Sequence, residues 1–144
     1  MIAVDTNILV YSHREDSQFY HAAFTALKSL AESGTLWSIP WPAVHEFLAI
    51  VTHPRIYSPP TPLVDALTQV ERWKECPSFA FIGEESALYF NYLRHILETS
   101  QVSGARIHDA RIAAICVAHG VDELWTADRD FSRFPGLNVK NPLV

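Results

Sequence analysis

The sequence predicts an α/β fold with a central, mostly parallel sheet of four or five strands. Three observations carry that expectation. Short apolar runs alternate along the chain with longer stretches of helical periodicity, the pattern of strands linked through helices. The 144 residues show no internal repeat, low-complexity tract or linker, so one domain over residues 1–144 is expected. The composition, 49% hydrophobic and 19% charged, supplies a core without staples and excludes disorder.

The elements follow in order. Ile2-Ala3-Val4 reads as a short buried strand ending at Asp5, and Asn7 to His13 as one or two helical turns. Ser17 to Ser33 is an amphipathic helix. Tyr20, Ala23, Phe24, Leu27 and Leu30 recur on one face, and Gly34 closes it. Leu36 to Ile39 is a second strand. Pro42 to His53 is a helix with proline in its first turn and an apolar arc of Ala43, Val44, Phe47, Leu48, Ile50 and Val51. The four prolines between His53 and Pro62 dictate a stiff surface loop. Thr61 to Glu75 is a helix, Phe79 to Ile82 a strand and Glu84 to Thr99 a helix. Gly104 breaks the chain before a helix over His108 to His119, capped by Gly120. Glu123 to Thr126 is a strand, and Leu137 to Val139 is the candidate fifth.

Bulk properties narrow the function classes. Cys76 and Cys116 fit neither a CxxC spacing nor a disulfide framework and are expected to be free thiols in a reducing compartment. The start MIAVDTNILVY lacks a basic region and a cleavage site, and no window of about 18 apolar residues occurs. A cytoplasmic protein without a membrane segment is expected. The formal net charge of −5 argues against holding nucleic acid through basic residues alone. An acidic cluster loaded with divalent ions is nonetheless cationic where a substrate docks.

Four carboxylates stand out. In parallel α/β sheets, function sits at the carboxyl ends of strands, and Asp5 and Asp128 both fall just beyond a predicted strand. The local alternatives are a helix N-cap for Asp5 and turn chemistry for Asp128 and Asp130. Glu46 lies at the edge of its helix's apolar arc, so a solvated flank is its alternative. Asp109 has Ile112, Ala113 and Cys116 at i+3, i+4 and i+7, which puts it on an apolar face. The helix dipole favours a negative charge there, yet a charge among apolar neighbours still needs a partner. If these acids converge, each pair at ~5 Å repels by roughly 3 kcal/mol at an effective dielectric near 20. Such a cluster raises its own pKa values or binds hard cations. All-oxygen ligation suits Mg²⁺ or Mn²⁺, and the absence of paired cysteines and of an HExxH helix argues against zinc.

These residues, in this order, resemble the PIN-domain nucleases, and within them the VapC toxins of toxin–antitoxin pairs. V-D-T-N-I-L-V-Y is similar to the family's opening strand with its first metal ligand, here Asp5. Glu46 in P-A-V-H-E-F-L matches the helix-borne glutamate, and Asp109 in H-D-A-R-I-A-A the aspartate opening a late helix. E-L-W-T-A-D-R-D-F resembles the closing strand and loop, with Asp128 in the fourth acidic place and Thr126 as the nearby hydroxyl. The resemblance covers nearly the whole chain. It implies a three-layer α/β/α domain and metal-dependent hydrolysis of RNA phosphodiesters. Asp5, Glu46, Asp109 and Asp128 would bind one or two Mg²⁺ ions, with Mn²⁺ as substitute, and Thr126 would complete the catalytic set. It also implies a homodimer and a small VapB-type antitoxin as partner.

Around these residues the expectations are finer. Thr6 orients ligands or the water, Asn7 fixes the loop around Asp5, and Asp130 is an extra ligand or a group that supports one. Arg106, Arg111, Arg129 and Arg133 are surface charges or phosphate contacts. His45 and His108 adjoin ligands but point about 100° away from them along their helices. Trp37 and Trp41 are core residues or base-stacking platforms. Two rivals remain. A phosphoacceptor signalling domain needs an acidic pair after the first strand, where this chain offers only Asp5. The other is a catalytically inert RNA-binding or interaction module of the same fold.

Overall fold

A computed structural model of the protein describes residues 1–144. The chain runs through β1 (Ile2–Val4), α1 (Thr6–His13), α2 (Tyr20–Glu32), β2 (Trp37–Pro40), α3 (Trp41–Val51), α4 (Leu63–Glu75) and β3 (Phe79–Ile82). It continues through α5 (Tyr89–Ser100), α6 (Arg106–Ala118), β4 (Glu123–Trp125), a 3-10 turn (Arg129–Arg133) and β5 (Val139–Lys140). The five strands form one sheet in the order β3-β2-β1-β4-β5, and every pairing is parallel. β1 is therefore central. The chain winds outward to β2 and β3 on one side and to β4 and β5 on the other, which opens a crevice at the carboxyl ends of β1 and β4.

Two apolar cores sandwich the sheet. Side chains alternate between the faces of a strand, and each central strand feeds both cores. Val4, Trp37, Ile39 and Trp125 face the core shared with α1, α2, α3 and α4, where Ile8, Leu27, Phe47 and Trp73 pack. Ala3, Leu124 and Ile82 face the core shared with α5 and α6, where Ile96, Ile112, Ile115 and Phe131 pack. The three layers are thus α1–α4, the sheet, and α5–α6. The small side chains Ala3 and Ser38 stand opposite each other in register, and Ala110, Ala113 and Ala114 of α6 join Ala3 in its core. Small residues on both surfaces allow a helix to lie close to a sheet. Ser38 is fully buried, and its hydroxyl has no hydrogen-bond partner.

Two helices start later than their periodicity suggests, for the same reason. Helix α2 begins at Tyr20 rather than Ser17, because the Ser17 hydroxyl accepts from Phe19 N–H (3.1 Å) and its carbonyl from Tyr20 N–H (3.1 Å). Helix α5 begins at Tyr89 rather than Glu84, because Ser86 makes the same turn with Leu88 N–H (3.2 Å) and Tyr89 N–H (3.1 Å). Serine side chains compete for the backbone donors that a helix would otherwise use. Helix α6 starts two residues early, at Arg106, which brings that arginine into the first turn with Asp109. No helix is long and apolar enough to cross a membrane.

Candidate active site

The register of the central strands builds the first side of the site. β1 and β4 pair Val4 with Trp125, so Asp5 and Thr126 leave the sheet side by side. Asp5 N–H continues the ladder to the Trp125 carbonyl (2.9 Å), and Thr126 N–H to that of Lys140 (2.9 Å). The Thr126 hydroxyl then donates to Asp5 Oδ2 at 2.8 Å. Thr126 Oγ1 itself accepts from Asn7 Nδ2 (3.1 Å) and from Asp128 N–H (3.1 Å). Asn7 closes the circuit by accepting from Ala127 N–H (3.1 Å). Asp5 also caps α1, with Oδ1 accepting from Thr6 N–H at 2.8 Å. The N-cap reading of Asp5 is therefore observed, and it leaves Oδ2 turned to Thr126 beside the cleft. From α3, Glu46 Oε2 accepts from the Thr6 hydroxyl at 2.8 Å.

The second side comes from α6 and the 3-10 turn. Asp109 sits in the first turn of α6, and Asp128 caps the 3-10 turn by accepting from Asp130 N–H (2.9 Å). Arg106 lies among them. Its guanidinium donates to Asp109 Oδ2 at 2.9 Å, stands 3.9 Å from Asp128 Oδ2, and pairs with Asp130. As the side chains stand, the Arg106 charge is engaged by three carboxylates of the same chain rather than turned freely to solvent. Spacing i,i+3 on a helix was the available signal, hidden by the later expected start of α6.

Asp5, Glu46, Asp109 and Asp128 line one cleft of about 330 Å³, together with Thr6, Asn7, Tyr11, Tyr57 and Phe131. Asp5 is only 4% exposed. Burial is the main reason its carboxyl is pushed up to about 6; the charges of Glu46 and Asp109 add to the rise, while the bonds from Thr126 and Thr6 oppose it. As the side chains stand, no three acid, histidine or cysteine side chains converge on one coordination point. The donor set nonetheless fits a hard divalent cation. It is all carboxylate oxygen, it crowds like charges, and its deepest member is starved of counter-charge.

The neighbouring expectations sort as follows. Arg111 pairs with Glu84, and Arg129 and Arg133 stand exposed on the 3-10 turn. Trp37 is buried at 2% exposure, which removes it as a stacking platform. Trp41 is exposed but stacks on Phe81, with ring centroids 4.2 Å apart. His45 and His108 are exposed and do not line the cleft. Sequence reasoning missed Tyr11 and Tyr57, which line it.

Comparison with known proteins agrees with this architecture. The PIN domain family model matches residues 2–137. The chain is 30% identical over 145 residues to ribonuclease VapC43 of Mycobacterium tuberculosis, covering 99% of this chain and 96% of that one. It is 27% identical over 138 residues to ribonuclease VapC48 of the same organism, covering 96% and 94%. Among solved structures, VapBC2 from Rickettsia felis bound to a DNA fragment from its promoter matches with TM-score 0.71 at 21% identity, over 98% of each chain. VapC20 of Mycobacterium tuberculosis, a sarcin–ricin loop cleaving toxin, matches with TM-score 0.65 at 13% identity, over 92% and 93%. At those identities the solved structures speak for the fold.

Proposed function

The chain belongs to the PIN-domain family, and on that footing we propose that it is a Mg²⁺- or Mn²⁺-dependent endoribonuclease, the toxin of a VapBC-type toxin–antitoxin pair. The observation that carries the reading is the cleft. Four carboxylates separated by up to 123 positions (Asp5 to Asp128) line one wall-to-wall space, and the most buried of them is pushed up to about 6. Repulsion of that kind is relieved by protons or by hard cations.

Asp5, Glu46, Asp109 and Asp128 would hold the ion or ions. Once bound, a divalent cation would activate water and stabilise charge on the phosphate during in-line displacement. The chain's own groups do the positioning. Thr126 fixes Asp5 and the Asp128 backbone through a single oxygen, and Thr6 fixes Glu46. Asn7 ties the β1 end to the β4 loop. Such outer hydrogen bonds orient ligands and tune their basicity. The single 1–144 domain, RNA as substrate, a homodimer, a cytoplasmic location and a VapB-type antitoxin belong to the same proposal.

The test is cleavage of total RNA by the purified protein. Wild type with Mn²⁺ or Mg²⁺ is expected to cleave, and chelation or Asp5→Ala to stop it. RNA left whole by folded wild type under every metal condition would instead favour an inert module of the same fold.

A further inference from the structure

We propose that Arg106 is a built-in counter-cation, which holds the Asp109–Asp128–Asp130 side of the cleft in the metal-free protein and must be displaced for a divalent ion to bind there. The inference rests on the metallonuclease reading above and concerns what that ion competes with.

The geometry is asymmetric. Asp5 and Glu46 are served by neutral donors: two threonines, an asparagine and a backbone N–H. Asp109, Asp128 and Asp130 are served by one guanidinium, at 2.9 Å from the first, 3.9 Å from the second and in contact with the third. Guanidinium carries five N–H donors in a planar fork and is never deprotonated at ordinary pH. It can therefore satisfy several carboxylates at once and remains charged whatever the pH. Arg106 reaches them because α6 starts at Arg106, one turn before Asp109, and because the 3-10 turn brings Asp128 and Asp130 back over that helix end.

The oxygens it engages on Asp109 and Asp128 belong to the carboxylates that a hard cation would need. Their orientation toward Arg106 accompanies the lack of any point where three acids meet. A fixed positive charge at this distance also opposes an incoming divalent ion directly. Both effects lower metal affinity. Removing the guanidinium then has a sign that separates this role from a merely structural one. A scaffold arginine, once lost, leaves the acids misplaced and metal binding weaker. A competing cation, once lost, leaves metal binding tighter.

The experiment is calorimetric titration of the full chain with Mn²⁺ alone, for wild type, Arg106→Gln and Asp5→Asn. Wild type should bind, Asp5→Asn should lose binding, and folded Arg106→Gln should bind about tenfold tighter, equivalent to about 1.4 kcal/mol. The Mn²⁺-induced rise in Tm should also be larger in Arg106→Gln than in wild type. Equal or weaker binding by folded Arg106→Gln overturns the inference while leaving the nuclease reading intact. Absence of Mn²⁺ binding by wild type overturns both. Should Arg106→Gln not fold without metal, the Arg106 Nε–H resonance of wild type decides, assigned by its loss in Arg106→Lys. On adding Mg²⁺ the resonance should shift and lose its protection from exchange; an unchanged resonance overturns the inference.

Discussion

On the side of the cleft formed by β1 and β4, Asp5 is 4% exposed and held by hydrogen bonds from neutral groups. On the side formed by α6 and the 3-10 turn, the side chains of Asp109, Asp128 and Asp130 are 30%, 39% and 43% exposed and held by ion pairs. Buried hydrogen bonds between fixed strand ends keep their geometry in any salt. Ion pairs between half-exposed side chains are screened and individually worth little. One site thus combines a rigid half, set by strand register, with an adaptable half, set by electrostatics. The rigid half accepts an unfavourable charge because the sheet leaves it no alternative.

The largest expected effect breaks the rigid half. Asp5→Asn should lower metal-dependent RNA cleavage by about 10³-fold, in the range seen when a preorganised charge-stabilising group is removed. Asn can still cap α1, so the metal-free variant should unfold in urea no earlier than wild type at pH 7. Asp130→Asn, on the adaptable half, should cost less than about tenfold in the same assay.

The next effect is a pH dependence. The folded state holds the Asp5 proton up to about 6, against an ordinary value of 3.8, so it binds more protons than the unfolded chain in between. Stability then falls as pH rises through that window, and the Asp5 contribution amounts to at most about 3 kcal/mol. Urea midpoints measured in chelator at pH 4.5 and pH 7 should show that loss. Asp5→Asn should remove it, and saturating Mn²⁺ should reverse it.

Thr126→Val tests the oxygen that joins Asp5, Asn7 and the Asp128 backbone. Mn²⁺ affinity should drop by about 10- to 100-fold, as for other groups that orient ligands. Thr126→Ser should recover most of it, because the donor is what matters. The smallest effect lies away from the cleft. Ser38→Ala removes a buried hydroxyl without a partner and should leave the urea midpoint unchanged or raise stability by up to about 1 kcal/mol. Cleavage should be unaffected.

The sequence made the rigid half legible and obscured the adaptable one, for physical reasons. Asp5 and Thr126 follow from strand ends, and strand ends follow from apolar runs; β1 and β3 lie where the pattern places them. Asp109 was visible as a charge on an apolar helix face, and Glu46 as one at the edge of such a face, where the structure leaves it exposed. Arg106 was not visible in its role, because the pairing depends on where α6 starts, and helix starts answer to local hydrogen bonds that periodicity does not encode. The late starts of α2 and α5, each set by a serine turn, are the same blindness seen from the other side. Tyr11 and Tyr57 were missed because ordinary core aromatics look identical in sequence; only the cleft distinguishes them.

The central position of β1 has a consequence for synthesis. Asp5 and its partner Thr126 lie 121 residues apart, so their synthesis is separated by roughly ten seconds at ordinary translation rates. Until β4 arrives to lie beside β1, the first acid lacks the Thr126 hydroxyl and has no opposite wall to face. The pocket is therefore completed only after β4 and the turn that follows it have been made, and a chain interrupted before them carries Asp5 without its opposite wall.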